Sequence, residues 1–261
     1  MKIETLWVNN RYRNFNYLIV CEETGEALAI DPLDHKQCLA VAKRAGYNIR
    51  QILNTHEHWD HIGGNDAIVA ATGAQVLAHH NADIQGQSEG LRAGDSLRVG
   101  KTVELEVMDT PGHTMAHVCV TAHGDRSALF CGDTLFNAGA GNCHNGGHPD
   151  ALFTTFEQQL HRLDEHMSIY PGHDYLANNL QFTLDREPDN EEARVLLELA
   201  LDMDPTAPLV TTIALERKVN TFFRLEERTI IDKLCEEDAT MSPHADPRSV
   251  FLKLRELRNH W

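Results

Sequence analysis

Thr55-His56-Glu57-His58-Trp59-Asp60-His61 is the stretch on which the reading of this chain turns. Three imidazoles and two carboxylates crowd into the positions directly after a short apolar run, Ile49 to Leu53. No packing requirement produces that arrangement, but a divalent cation does. Neutral imidazole presents a nitrogen lone pair at physiological pH, and histidine is the commonest metal ligand. The spacing H-x-H-x-D-H therefore predicts that His56, His58, Asp60 and His61 are ligands. Glu57 and Trp59 are expected to alternate away from them and to pack or orient.

Three further residues stand in the same context, at or just past the end of an apolar run and directly after a glycine or a Gly-containing turn. His113 follows Val107-Met108-Asp109-Thr110-Pro111-Gly112, Asp133 follows Ala128-Leu129-Phe130-Cys131-Gly132, and His173 follows Ser168-Ile169-Tyr170-Pro171-Gly172. Strand ends carry sites in α/β proteins, because the sheet holds the loops while their tips stay accessible. His56, His58, His113 and Asp133 make one four-donor set; Asp60, His61, His173 and Asp133 make a second. A carboxylate has two oxygens, so Asp133 can bridge two ions about 3.5–4 Å apart, with a shared position left for water or hydroxide. Nitrogen-rich donors suit zinc, and iron or manganese also bind such mixtures. Asp31, in Ile30-Asp31-Pro32, is read either as an acceptor for a ligand imidazole or as an ordinary turn carboxylate.

Composition narrows the function classes. The 261-residue chain is 42% hydrophobic, enough for a core without staples. Its net charge of −16 argues against nucleic-acid binding, which needs basic surface. No apolar run reaches the roughly 20 residues of a membrane span, and the N-terminus lacks the order of a secretory signal. The six cysteines show no C-x-x-C pairing, which fits a reducing, cytoplasmic setting. Cys21, Cys38, Cys119 and Cys235 read as packing residues; Cys131 and Cys143 flank the predicted site.

The first half alternates short strands with helical spacing at 35–45 and 65–71, a layered α/β pattern. Residues 16–21 and 27–30 read as strands paired across Glu23-Thr24-Gly25. Composition shifts near residue 175, after which helical periodicity covers 175–185, 190–202, 227–236 and 247–258, with helix starts expected at Asp189 and Ser249. The expected organisation is a catalytic domain over 1–173 and a smaller helical domain over 174–261.

The motifs together resemble the metallo-β-lactamase superfamily: Thr-His-x-His-x-Asp-His, then Pro-Gly-His-Thr, Cys-Gly-Asp-Thr-Leu-Phe and a late Gly-His-Asp-Tyr. Within it the chain is most similar to the glyoxalase II group, the hydroxyacylglutathione hydrolases. The segment Leu215-Glu216-Arg217-Lys218-Val219-Asn220-Thr221-Phe222-Phe223-Arg224 resembles that family's Asn-Glu-Arg-x-x-Asn-x-Phe-Leu-Arg. The resemblance implies an αββα sandwich followed by an all-helical domain. It also implies a dinuclear hydrolase of thioesters, S-lactoylglutathione above all.

Such a reaction needs no Ser or Cys nucleophile. A metal-held water is acidified from about 15.7 towards 7, and the departing thiolate, with a pKa near about 8.5, requires no strong acid. Asp60 and Asp133 would act as ligands at the reaction centre. By the same resemblance Tyr175 and the pair Arg255 and Arg258 match substrate contacts, although a solvated basic helix face is the plain alternative for the arginines. The family's loop Gly-Cys-Gly-Arg/Lys-x-Phe/Tyr-Glu-Gly-Thr is replaced by Gly139-Ala140-Gly141-Asn142-Cys143-His144-Asn145-Gly146-Gly147. Asn142 stands where the cation is expected and His144 where the aromatic is expected. Asn142, Cys143 and His144 are therefore candidate substrate contacts; with His148 they also form a donor cluster that could hold a third ion. The altered loop keeps open a second hydrolase reading, a lactonase or broad thioesterase with a non-glutathione substrate. A mononuclear iron oxygenase and a non-enzymatic binding protein are the more distant alternatives.

Overall fold

The computed structural model describes residues 1–124 and 126–261. One sheet runs β1 (Lys2–Trp7), β2 (Phe15–Val20), β3 (Glu26–Ile30), β4 (Asn48–Leu53), β5 (Gln75–His79) and β6 (Glu89–Leu91) in spatial order. The first three strands pair antiparallel and the rest parallel. The chain continues through β7 (Ser96–Val99), β8 (Val103–Asp109), β9 (Val118–Ala122), β10 (Ala128–Gly132), a small hairpin of β11 (Leu135–Phe136) and β12 (Gly139–Ala140), and β13 (Ser168–Pro171). The second sheet has the order β13-β10-β9-β8-β7, with only β13 and β10 parallel.

Alternation along β2 shows how the layers form. All six residues of FNYLIV are buried. Phe15, Tyr17 and Ile19 enter the apolar cluster between the sheets, where they meet Val107, Val120 and Phe130. Leu18 and Val20 face the opposite way, into a cluster with Cys38, Val41 and Ile68. A strand with period two and both faces apolar demands a layer on each side. On the first sheet's outer face that layer is α1 (His35–Ala45) and α3 (Asn65–Thr72), with the single turn α2 (Trp59–Ile62) between them in the chain. The second sheet is covered by α4 (Pro149–Gln158) and by helices from the end of the chain. The result is the expected αββα sandwich.

After α5 (Leu176–Arg186) come α6 (Glu191–Leu201), α7 (Ile213–Val219), α8 (Arg228–Glu237) and α9 (Pro247–Arg258). This helical half shares its core with the sandwich: Leu129 and Ile169 pack in one cluster with Phe222, Phe251 and Leu254. No helix among the described residues is long and apolar enough to cross a membrane. All six cysteines are free.

Three local expectations need correction. α6 and α9 are capped by Asn190, which accepts from Ala193 N, and Asp246, which accepts from Ser249 N; Asp189 and Ser249 are not the caps. α4 was missed, because Pro149 at its first turn reads as a breaker when the preceding His148 is not recognised as a cap. The alternation expected at Glu57 and Trp59 ends where α2 begins. Trp59 is exposed and meets Tyr12 edge-on at 5.4 Å, and Glu57 accepts from the Thr114 hydroxyl at 3.3 Å.

Glu216 joins the halves. Its Oε2 accepts from Ala138 N and Asn220 Nδ2, each at 2.8 Å, and its Oε1 from the Thr211 hydroxyl at 2.7 Å. Burial pushes its carboxyl up from an ordinary 4.5 to about 7. The folded state thus favours the protonated acid, so this group's contribution is complete below about pH 4.5 and is lost as pH rises towards 7. Glu216→Gln is expected to fold and to lose that dependence. Its stability relative to the parent should rise by on the order of 1.4 kcal/mol per pH unit across the window, read by urea denaturation. Parallel stability profiles for the two proteins would contradict this.

Candidate metal centre

The predicted ligands converge at one end of the sandwich. β4 delivers His56 and His58, and α2 adds Asp60 and His61. The segments after β8, β10 and β13 supply His113, Asp133 and His173. Close approach is built into the backbone: a Cβ on Gly172 would stand 2.3 Å from Asp133 Oδ1, and Gly132 has φ +45° with Thr55 Oγ1 2.4 Å from where its Cβ would be.

Two clusters of ring nitrogens result. His58 Nδ1 lies 3.0 Å from both His56 Nε2 and His113 Nε2. His61 Nε2 lies 3.3 Å from His173 Nε2, and Asp60 Oδ2 is 3.7 and 3.6 Å from those two atoms. Asp133 stands between the clusters. Its Oδ1 is 3.5 Å from His61 Nε2, and its Oδ2 is 3.5 Å from His113 Nε2 and 3.1 Å from His173 Nε2.

The outer ring nitrogens show which atoms carry hydrogen. His58 Nε2 faces Asn145 O at 3.0 Å, His113 Nδ1 faces Asn142 O at 2.7 Å, and His173 Nδ1 faces Tyr12 O at 2.7 Å. His61 Nδ1 faces Asp31 Oδ2 at 2.9 Å. Thr55 gives its hydroxyl hydrogen to that same oxygen at 2.7 Å, so it accepts from His56 Nδ1 at 3.0 Å. A carbonyl or carboxylate only accepts, so all five outer nitrogens are N–H donors. In the neutral imidazole the inner nitrogen is then a bare lone pair. Two such lone pairs at 3.0 Å, on His56 and His58, repel one another. Asp133 Oδ1, buried, has no hydrogen-bond partner. A buried set of this kind fits a cation and little else.

Electrostatics agree. Burial, reinforced by His61 and His113, holds His56 well below the usual imidazole range, and burial brings His113 down to about 4. Both rings stay neutral and able to ligate at neutral pH. Burial also opposes charge on His61, but Asp133 and Asp31 on either side overcome it and hold that ring well above its ordinary value. Burial favours the Asp133 acid, yet His173 and His61 draw its pKa well below the carboxylate range. The centre attracts positive charge between its carboxylates.

Several supporting residues lie outside the motif reading. Asp31 resolves as an acceptor in the site, its Oδ1 also taking Thr55 N at 2.8 Å; the turn-carboxylate alternative falls. Asn14 donates to Asp60 Oδ2 at 3.1 Å. His117 is absent from the groups that could hold a metal, but it is wholly buried and its Nε2 accepts from Asp133 N at 3.2 Å. Its sequence signal was its place four residues after His113. His79 pairs with Asp109 at 3.5 Å and stands apart from the ligand groups.

Beside the ligands lies a cleft of about 330 Å³ lined by Asn142, His144, Tyr175, Arg258 and Trp261 among others. Tyr175 stacks on His173 with ring centroids 5.0 Å apart. One expectation fails here. Cys143 turns to the core, where burial pushes its thiol up to about 11, and does not line the cleft. For Arg255 the alternative of a solvated face falls: it is 3% exposed, bonded to backbone carbonyls and part of the cleft lining. The third-ion cluster is not assembled either, since His148 caps α4 through Asp150 N and no group from that loop could hold a metal among the described residues. Cys131 is a core residue.

Residues 15–173 match the family model of the metallo-β-lactamase superfamily, and residues 174–261 match that of the hydroxyacylglutathione hydrolase C-terminus. A hydroxyacylglutathione hydrolase of Nitrosococcus oceani is 62% identical over 263 residues, covering 100% of both chains. The chain belongs to the hydroxyacylglutathione hydrolase family of the metallo-β-lactamase superfamily. Another hydroxyacylglutathione hydrolase, from a Polaromonas species, is 57% identical, again over 100% of both chains. Among solved structures, ETHE1 from Myxococcus xanthus is similar with TM-score 0.69 and 25% identity over 99% of this chain and 98% of that one. A protein solved in a di-iron-bound form shares the fold with TM-score 0.58 and 24% identity over 84% of this chain and 98% of that one. Within this family, fold and donor set together make the cluster a divalent-metal centre.

Asp31→Asn tests the orienting carboxylate. Asn tolerates the φ of +48° at this position. Three donors converge on the Asp31 carboxylate, so an amide must turn its NH₂ against at least one of them. Zinc affinity, read by competition with a chromophoric chelator, is expected to fall about 10–100-fold with the fold retained. Unchanged affinity would remove Asp31 from the account.

Proposed function

We propose that this protein hydrolyses S-acylglutathione thioesters of the S-lactoylglutathione type at a centre of two divalent ions, zinc foremost. The carrying observation is the paired inward-facing donor set: His56, His58 and His113 on one side, Asp60, His61 and His173 on the other, and the Asp133 carboxylate reaching towards both. The names of the relatives at 62% and 57% identity supply the substrate class. We read residues 1–173 as the catalytic domain and 174–261 as a helical domain that completes the substrate cleft.

Bound cations would supply an acidified water at neutral pH and a Lewis acid for the thioester carbonyl. The chain's own residues supply the rest. Outer hydrogen bonds donated by the imidazoles to Asn142 O, Asn145 O, Tyr12 O, Asp31 and Thr55 hold each ring with its other nitrogen inward, so no reorganisation is needed when charge develops. Asp60 is held in place for ligation beside two imidazoles by the Asn14 amide, which donates to its Oδ2. Tyr175, fixed flat against His173, forms a wall of the cleft where the thiol portion would lie. Arg258, held by Asn179 Oδ1 at 2.9 Å, is the cation offered to a glutathione carboxylate. Asn142 and His144 line the same cleft, where the family's loop offers a Lys or Arg and an aromatic residue. A thiolate leaving group needs no acid at this position.

The lactonase or broad-thioesterase reading is favoured only by that altered loop. A panel of acylglutathiones, other thioesters and lactones with metal-loaded protein separates the two. Loss of S-lactoylglutathione at the highest kcat/KM is expected; intact acylglutathiones beside a hydrolysed lactone would overturn the assignment. Asn142→Arg, which restores a cation to the cleft, is expected to lower KM for S-lactoylglutathione about fivefold, on the order of 1 kcal/mol. A KM unmoved by that change would place the glutathione carboxylates elsewhere.

A further inference from the structure

The two donor groups of the centre are steadied by different segments of the chain. His56, His58 and His113 rest on Thr55 and on the 142–145 backbone. In the other group Asp60 and His173 rest on the segment that joins β1 to β2. Tyr12 O accepts from His173 Nδ1 at 2.7 Å. Asn14 forms an isolated antiparallel bridge with His173. On either side of that bridge Asp174 N donates to Arg13 O at 2.9 Å and Phe15 N donates to Gly172 O at 2.8 Å. The Arg13 guanidinium adds an ion pair to Asp174 and a bond to its carbonyl at 2.9 Å. The joining segment is thus fixed to the strand end that carries His173.

Asn14 carries this order across to Asp60. It is 1% exposed, and its Nδ2 donates to Asp60 Oδ2 at 3.1 Å and to Asp60 O at 3.2 Å. Oδ2 is the oxygen that faces His61 Nε2 and His173 Nε2. A carboxylate oxygen accepts at two sites, so it can take the amide at one and keep the other for an ion. An amide can also turn over, and its carbonyl oxygen would then repel the carboxylate. Asn10 prevents this: its Nδ2 donates to Asn14 Oδ1 at 2.8 Å, and its own Oδ1 accepts from Asn14 N at 3.3 Å. Two side-chain amides in series therefore dictate where Asp60 points. Neither of them bonds to His56, His58 or His113 among the described residues.

We infer that Asn14, itself set by Asn10, is a positioning residue for one ion of the pair: it aims Asp60 at the site of His61 and His173 and leaves the site of His56, His58 and His113 untouched. The inference rests on the two-ion reading proposed above and adds to it a division of labour between segments. The Asp60 side chain is 13% exposed, so without the amide its carboxylate can swing towards water. The ion at His61 and His173 then loses a ligand that was held ready for it. The other ion keeps three imidazoles and Asp133, none of which the joining segment aims through Asn14.

The experiment titrates metal-free parent, Asn14→Ala and Asn10→Ala with zinc in the full chain. Native mass spectrometry counts the ions, chelator competition gives the two stepwise affinities, and thermal unfolding reports the fold. The parent is expected to take up two ions. Asn14→Ala is expected to bind the weaker ion about 10–100-fold less tightly, with the tighter one within about twofold of the parent. Asn10→Ala only frees the Asn14 amide to turn, and a loss of about threefold on the weaker ion is expected, with none on the tighter. Where Asn14→Ala fails to fold, Asn10→Ala decides by the same criterion. Folded variants with both affinities parental overturn the inference, and a fall in thermal stability alone marks Asn14 as a plain structural staple. Folded variants in which both ions weaken alike overturn it too, because selectivity is the claim. A parent that takes up two ions beside unselective variants refutes this inference alone. A parent that saturates at one ion refutes the two-ion reading and this inference with it.

Discussion

Five imidazoles, four of them buried and His58 half-buried, are held with one ring nitrogen turned inward towards one another and towards Asp60 and Asp133, and the rest of the structure is arranged around tolerating that. Each ring would gain by rotating away. Each is held in place by an acceptor behind its outer nitrogen: Thr55, Asn145, Asn142, Tyr12 or Asp31. The acceptors come from both sheets' loops and from the segment before β2, so the constraint is distributed across the fold. A sandwich with helices on both faces supplies the stiffness, because strands buried on two sides cannot shift register without exposing one of their apolar faces. Repulsion built into the folded protein is the physical form in which a metal requirement is written.

The helical half is part of the same device. Its aromatic residues share a cluster with β10 and β13, the strands that end at Asp133 and His173. Glu216, Asn220 and Arg255 take up the polar atoms of the hairpin and loop that follow Asp133. The segment next to the centre, irregular and in part positively twisted, would otherwise carry unpaired backbone groups into the interior. Substrate cleft and metal centre are thus built on one scaffold, with Tyr175 touching both.

The ligands were legible in the sequence because a metal demands particular side chains at particular strand ends. His56, His58, Asp60, His61, His113, Asp133 and His173 all announce themselves by type and by the glycine or apolar run before them. The strands of the sandwich and four of the late helices were legible for the same reason, since periodicity is written in side chains. What orients the ligands was not legible. Three of the five outer acceptors are backbone carbonyls, which every residue possesses, so Tyr12, Asn142 and Asn145 carry no signal of their role. Asn14 meets Asp60 across 46 positions. The burial of Arg255 was not legible because a helix-face spacing does not say what that face packs against, and β1 was missed because the alternation over Lys2–Trp7 at a chain end is weak.

The central claim is that the two donor groups share Asp133 and hold one ion each. Titration of metal-free protein with zinc, followed by mass spectrometry under native conditions, counts the ions directly. The account predicts two per chain in the parent and loss of at least one in Asp133→Ala, with the fold retained. A parent that saturates at one ion, or an Asp133→Ala variant that still takes up two with unchanged affinity, would contradict it.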